Sequence, residues 1–130
     1  MSIVVALFVV TVVASLAAFA VTVGGAQQQT DLTNVQASRA LAAARTGLEW
    51  GAYRVRGAGG SCVASRTLSL TEGALRGFTV TVTCTPSPLH TEGAATYRSY
   101  DIKASASSGT FGSTDFAYRT VTARYFDPGF

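Results

Sequence analysis

The chain has 130 residues, of which 48% are hydrophobic and 13% are charged, well below the roughly 25% charged residues of soluble domains. This length predicts a single domain. The formal net charge of +3 is the balance of ten cations, one lysine and nine scattered arginines, against seven acidic residues. The cations form neither the basic run nor the basic face of a nucleic-acid binder, so we expect no nucleic-acid partner.

The apolar residues are concentrated at the start of the chain, where residues 1–26 contain no Asp, Glu, Lys, Arg or His. Residues 2–24 predict an apolar helix about 35 Å long, enough to cross a hydrocarbon core of about 30 Å. The large apolar side chains that we assign to this assembly helix are Ile3, Val4, Val5, Leu7, Phe8, Val9, Val12, Val13, Leu16 and Phe19.

Three interpretations compete for this segment: a cleaved signal peptide, a membrane anchor, and a helix that packs with copies of itself. Small residues near Ala18 and Ala26 fit a signal-peptide cleavage site, but a secretory signal begins with a positively charged region that this stretch does not have. Lys and Arg near the ends of a membrane helix normally set its orientation. We therefore expect that a short basic leader was removed in front of Met1, as in class III export signals, which are cleaved before the apolar stretch.

With Met1, the apolar run from Ile3 to Val23, a long continuing helix and a small β-domain with cysteines, the chain resembles type IV pilins and type II secretion pseudopilins. Among them it is most similar to the minor-pilin-like proteins of mannose-sensitive haemagglutinin pilus systems. The resemblance implies cleavage by a prepilin peptidase, N-methylation of Met1 and an inner-membrane pool before assembly. It also implies a pilus assembly machinery that builds a homo-oligomeric filament at the cell surface.

Val5 departs from the family pattern, because most major pilins carry a glutamate at this position. In the family that carboxylate neutralises the N-terminal amine of a neighbouring subunit. Val5 therefore suggests a minor or tip subunit, or a filament that compensates the amine of Met1 in another way. A buried ammonium needs a partner oxygen, and the local candidates are the hydroxyls of Thr11 and Ser15 or freed backbone carbonyls.

Gly24 and Gly25 follow the apolar run, and two adjacent glycines lower helix propensity by about 2 kcal/mol. In the pilin family the helix often melts near this position when subunits pack into a filament. The sequence therefore predicts an unwound or kinked stretch around these glycines, against the alternative of one uninterrupted helix in which they allow close packing.

An amphipathic helix is predicted over residues 27–56, ending near Arg56 because three glycines follow within four residues. One face carries apolar side chains three and four residues apart, which predicts packing on a sheet of the same subunit. This face consists of Ala37, Leu41, Ala44, Leu48, Ala52 and Val55.

Residues 57–130 change to a period of two, which is typical of strands. The first predicted strand is 66–70, and the second is 78–84, where Phe78, Val80, Val82 and Cys84 alternate with threonines. The third has Tyr100, Ile102, Ala104 and Ala106 on one face, and the fourth, 114–126, has Ala117, Val121, Ala123 and Tyr125 on one side. Pro86 and Pro88 end the second strand. The predicted fold is therefore α+β, a long helix packed on a four-stranded antiparallel sheet, with residues 27–130 forming one globular domain.

Cys62 and Cys84 are the two cysteines. In an exported chain the cysteines of a small domain usually pair, and the loop closed by such a bond is worth on the order of 3 kcal/mol. Two buried free thiols are the alternative, which a cytosolic protein would favour. Two cysteines with a single histidine make a poor zinc site.

No spacing of residues indicates a catalytic, cofactor or metal site, so we predict that the chain is not an enzyme and needs no cofactor. His90 is the single histidine and lies beside Pro88 in a loop-like segment, where we expect it to be solvated. The acidic residues are spread over turns and strands without the density of a calcium loop.

The expected function is therefore that of a structural subunit of an extracellular pilus-like filament. The alternative is a minor or tip pilin, or a pseudopilin, that primes assembly or mediates adhesion. A monomeric membrane-anchored binding domain is a third hypothesis, which predicts that the chain never forms fibres.

Overall fold

A computed structural model describes residues 2–57 and 61–127 of the chain. The fold class is α+β, as predicted. The elements are one helix, α1 (Ser2–Gly57), five strands, β1 (Arg66–Ser69), β2 (Thr79–Pro86), β3 (His90–Glu92), β4 (Ala95–Ser108) and β5 (Ala117–Asp127), and a short 3-10 helix (Gly73–Leu75). Every strand pair is antiparallel.

Contacts divide the chain into two compact units, a helical unit that ends at Val35 and a sheet unit that begins at Gln36. From the sequence, one globular domain was predicted to begin at residue 27, and that boundary stays a prediction. The described side chains between residues 27 and 35 are all exposed.

The helix passes through Gly24 and Gly25 without a break. The unwound stretch predicted there is therefore not a property of the single chain. The propensity cost of two glycines is about 2 kcal/mol, and the backbone hydrogen bonds of a helix that continues on both sides outweigh it. The melting that the resemblance attributes to filament packing stays a prediction.

The helix ends at Gly57, one residue beyond the predicted end, and its last turn carries Arg54 and Arg56. Cations at this position interact favourably with the C-terminal end of the helix dipole. The guanidinium of Arg54 lies 5.9 Å from the ring centroid of Trp50, and that of Arg56 lies 5.2 Å from Tyr125 on β5. The first contact lies within the helix, and the second joins the last helical turn to the sheet.

The sheet is organised around β4, the longest strand. Its residues 100–107 pair with β2, and its residues 98–108 pair with β5 on the other side. β1 pairs with the first half of β2, and the loop between them holds the 3-10 helix. The guanidinium of Arg39 on α1 donates to the carbonyl of Ala74 in this loop at 2.9 Å from Nε, which fixes the loop to the helix.

The sheet has five strands and not the predicted four, because the segment around His90 is a strand and not a loop. Pro88 has no N–H and interrupts the β2 line, but pairing with β4 resumes at His90 opposite Tyr97. The two rings stack with centroids 5.4 Å apart, and the Tyr97 hydroxyl donates to Glu92 at 2.9 Å. Gly93, at φ +62°, provides the tight turn of this hairpin.

The core of the sheet unit is the face of the sheet that packs on α1. The predicted inward faces of two strands are confirmed, with Val80, Val82 and Cys84 buried on β2 and Tyr100, Ile102, Ala104 and Ala106 buried on β4. Alternation on β5 is also confirmed, since Ala117 is buried and Val121, Ala123 and Tyr125 are half-buried.

The helix face that meets this core differs from the predicted one, because its centre consists of small residues. Of the predicted set only Ala44 and Val55 are buried, and Leu41 and Leu48 are half-buried beside them. The buried line consists of Ala40, Ala43, Ala44, Gly47, Gly51 and Val55. A Cβ on Gly47 would lie 2.4 Å from Val80 Cγ1, and one on Gly51 would lie 2.8 Å from Ile102 Cγ2. The sheet therefore contacts the helix backbone directly.

Cys62 and Cys84 form a disulfide that spans 22 residues. It connects the segment after α1 to the inner face of β2. Of the two possibilities left open by the sequence, pairing is therefore the correct one.

Gly47→Ala tests the close helix–sheet contact. Overpacking a core costs about 1–3 kcal/mol, which exceeds the gain in helix propensity of about 1 kcal/mol. We expect a lower free energy of unfolding, measured by urea titration of the full chain in detergent with Trp50 fluorescence. Gly24→Ala is the matched control, since no heavy atom lies within 4 Å of the added Cβ, and it should not destabilise the sheet unit. Equal stability of Gly47→Ala and wild type would contradict this packing.

Removal of the disulfide by Cys62→Ala together with Cys84→Ala should lower the free energy of unfolding by about 3 kcal/mol. The physical reason is that the unfolded chain regains the conformational freedom of the closed loop. The same urea titration checks this value, and chemical reduction of the wild-type protein should reproduce the loss. Unchanged unfolding midpoints in both experiments would show that the bond does not stabilise the fold.

Candidate assembly surface

The ten apolar side chains predicted to form the assembly helix are all exposed, each by between 41% and 76%. Val10, Val21 and Val23 belong to the same surface, although they were not among the ten. All three lie within the uninterrupted apolar run from Ile3 to Val23, so the sequence alone could have assigned them to the assembly helix. This surface, residues 3–23 of α1, is called the apolar segment below.

By length and composition, α1 is long and apolar enough to cross a membrane. Its most apolar window of 18 residues has a mean hydropathy of 2.8, and none of that window is buried inside the protein. Asp31 is the only charged residue between Ser2 and Ser38. The apolar segment can therefore enter lipid or a protein bundle without the desolvation of any side-chain charge.

The hydroxyl groups of the apolar segment are satisfied within their own helix. Thr11, Ser15 and Thr22 each donate to the carbonyl three residues earlier, at 2.8 Å in all three cases. Such bonds remove the penalty for placing a hydroxyl in an apolar environment. From the sequence, the candidate partners of the Met1 amine are the hydroxyls of Thr11 and Ser15 or freed backbone carbonyls. Met1 lies outside the described residues, so that pairing stays a prediction.

These three hydroxyl residues also lie on one side of the helix, because spacings of four and seven residues return to the same face. Ala18 and Gly25 fall on the same line. Small side chains on one face allow two helices to approach closely, and such faces are common where helices pack in a membrane. The rest of the circumference carries mostly valine, leucine and phenylalanine, with Ala6, Ala14, Ala17 and Ala20 among them. Before Thr11 the line continues with the larger side chains of Leu7 and Val4.

The outer face of the sheet is polar and internally paired. Arg124 on β5 donates to both carboxylate oxygens of Asp101 on β4, at 2.6 and 2.9 Å, and this contact holds the pKa of Asp101 below its usual range. A shallow groove of about 560 Å³ lies over this pair and is lined by threonines of β2 and β5 with Lys103. An open groove of this kind buries little of a small ligand.

Among the side chains that the structure describes, His90 and the acidic residues are not brought together into a chemical site. His90 stacks on Tyr97, and the hydrogen bond from Tyr97 to Glu92 raises the pKa of the Tyr97 hydroxyl. Within residues 2–57 and 61–127 there is no group of three or more His, Cys, Asp or Glu side chains that could hold a metal ion.

No protein-family model matches the chain, and neither a curated protein nor a solved structure matches it.

Thr11→Val combined with Ser15→Ala tests whether the hydroxyls serve another molecule. Because both donate within their own helix, their removal leaves no buried group unpaired, and we expect unchanged insertion into lipid vesicles and unchanged oligomer size. Vesicle flotation and light scattering measure the two quantities. Loss of oligomers with insertion intact would show that the hydroxyls have a partner in a second chain.

Proposed function

We propose that this chain is a structural subunit of a type IV pilus-like extracellular filament, assembled through its apolar helix. The observation that carries the proposal is the apolar segment, in which thirteen large side chains are exposed, each by 40% or more. Burial of such a side chain is worth about 1.5–3 kcal/mol. Ten of them together exceed the roughly 4–15 kcal/mol that association costs in lost freedom.

Two environments can bury this surface, a lipid bilayer and a bundle of like helices. In the proposal the chain occupies both in turn, first an inner-membrane pool and then the filament core. Since lipid is as apolar as the helix, transfer into the bundle must be favoured by close packing. The line of Thr11, Ser15, Ala18 and Thr22 supports such packing, because it contains no large side chain.

The remaining partners follow from the resemblance and are part of the proposal. They are a prepilin peptidase that processes and methylates the N-terminus, and an assembly machinery that extracts subunits from the membrane. The sheet unit then lies outside the helical core and presents its polar face to the surroundings, where it determines adhesion.

A minor or tip subunit, or a pseudopilin, is the second candidate function, and Val5 is the residue that favours it. Without a carboxylate at this position, a core built only of this chain needs another partner for each N-terminal amine. A subunit present in few copies, next to subunits that carry the glutamate, avoids this requirement. Counting the copies of this chain per filament distinguishes the two roles.

Val9→Asp tests the proposed mechanism. A charge in the middle of the apolar segment must be desolvated without a partner in a bundle of like helices, so we expect no filaments by electron microscopy. The sheet unit should stay folded, with the same Trp50 fluorescence and the same urea midpoint as the wild-type chain.

Two controls accompany this experiment. Val9→Leu keeps the position apolar and should assemble, and Thr33→Asp places the same charge on the exposed helix beyond the apolar segment and should assemble as well. Normal filaments from Val9→Asp would contradict assembly by burial of the apolar segment.

A further inference from the structure

One edge of the sheet is a long strand with unpaired backbone groups. β5 spans Ala117–Asp127 and pairs with β4 in a single unbroken register, from Ala117 opposite Ser108 to Asp127 opposite Arg98. It has no bulge and no proline. Among the described residues its only other backbone contact is the carbonyl of Tyr118, which accepts a hydrogen bond from the guanidinium of Arg119 at 3.0 Å. Such an edge is a template for another strand.

The opposite edge is blunted in the ways that proteins use against strand pairing. β1 has only four residues, and it covers just the first half of β2. The second half of β2 is tethered through Cys84 to the segment that holds Cys62. The β1 edge is therefore protected against pairing with another strand, whereas the long, regular β5 edge is not. This difference indicates that the β5 edge is available for strand pairing.

The arginines of β5 do not protect the edge in the usual way. Charged side chains keep an edge unpaired when they must lose their water without a partner. Here the guanidinium of Arg124 is bound to Asp101, and that of Arg119 is bound to the carbonyl of Tyr118. Both are held by oxygen atoms of the same subunit.

We propose that the β5 edge is a docking surface for β5 of a second copy of this chain, paired antiparallel about Thr122. Unpaired backbone N–H and C=O groups in a row accept only another extended backbone. Within the described part of the chain the other strands that pair on one side only, β1 and β3, have four and three residues. A partner strand of matching length is therefore β5 itself.

The residues of β5 select the register. When Thr122 lies opposite Thr122 of the second copy, all eleven residues of the strand are paired. In this register, side chains that point towards the core lie opposite side chains of the second copy that also point towards its core. This register places Tyr118 opposite Phe126 of the second copy, and these exposed aromatic side chains, 48% and 63% accessible, cover each other at both ends. Arg119 then faces Tyr125 and Arg124 faces Thr120, so that no two like charges are opposed.

The symmetry of this contact determines where it can occur. A two-fold axis perpendicular to the sheet reverses every direction in its plane, so the α1 segments after Gln36 of the two copies run in opposite directions. The contact therefore cannot lie within a filament whose helices all point the same way. It joins chains of opposite direction, as between two filaments that lie side by side, and it does not depend on burial of the apolar segment.

A cysteine scan in the full chain, solubilised in detergent with the native disulfide intact, tests the register. Residues directly opposite in an antiparallel pair have Cα atoms about 4.5–5.5 Å apart, which a disulfide can bridge. Under mild oxidation the yield of disulfide-linked dimer should be at least tenfold higher for Thr122→Cys than for Thr120→Cys. In the proposed register, residue 120 of the second copy lies four residues further along the strand than the position opposite residue 120. Thr81→Cys, on the same face of the interior strand β2, should give a dimer yield as low as that of Thr120→Cys.

Phe126→Ala in the Thr122→Cys background should reduce dimer yield about threefold, since aromatic pairs contribute roughly that factor or more. Val9→Asp should leave the yield unchanged. Equal yields at Thr120 and Thr122, no dimer at Thr122, or cross-linking of Thr122 only to a different protein would each overturn the proposal.

Discussion

The structure depends on the incompatibility of the apolar segment with water. Between Ser2 and Thr30 the chain has no charged residue, yet the large side chains in this part of α1 are exposed. Hydrophobic burial is non-directional and proportional to area, so this surface requires an apolar environment without prescribing one particular partner. Lipid and a bundle of sister helices both satisfy it. Under the proposed function the subunit first resides in a membrane and then leaves it, and this property is what such a transfer needs.

The two parts of α1 differ in the size of the side chains that they present. In the apolar segment, valine, leucine and phenylalanine side chains are exposed and can be buried only by other molecules. In the sheet unit the same helix presents Gly47 and Gly51, where the sheet comes within van der Waals distance of the backbone. Because the buried face of the sheet is of only moderate size, hydrophobic burial alone stabilises the sheet unit little. The disulfide from Cys62 to Cys84 and the arginine contacts at the helix end add to its stability.

The strongly patterned features could be predicted from the sequence. Alternation of valine and threonine on β2 gave the correct inner face, and the uninterrupted apolar run gave the first half of α1. The helix face was misassigned because periodicity ranks Leu41 and Leu48 above glycine, whereas the closest contact forms where no side chain intervenes. β3 was missed because Pro88 was read as the end of strand pairing in this region. Pairing resumes at His90, which stacks on Tyr97 of β4, and a contact between two strands cannot be recognised from a local sequence pattern. An open edge on β5 likewise emerges only from the strand order.

Electron microscopy of the purified wild-type chain shows whether burial of the apolar segment builds a filament. We expect fibres in which this chain is the repeating subunit and residues 3–23 are enclosed in the core. Protein that stays a dispersed single molecule in lipid, with no polymer under any condition of concentration or detergent removal, would contradict this expectation.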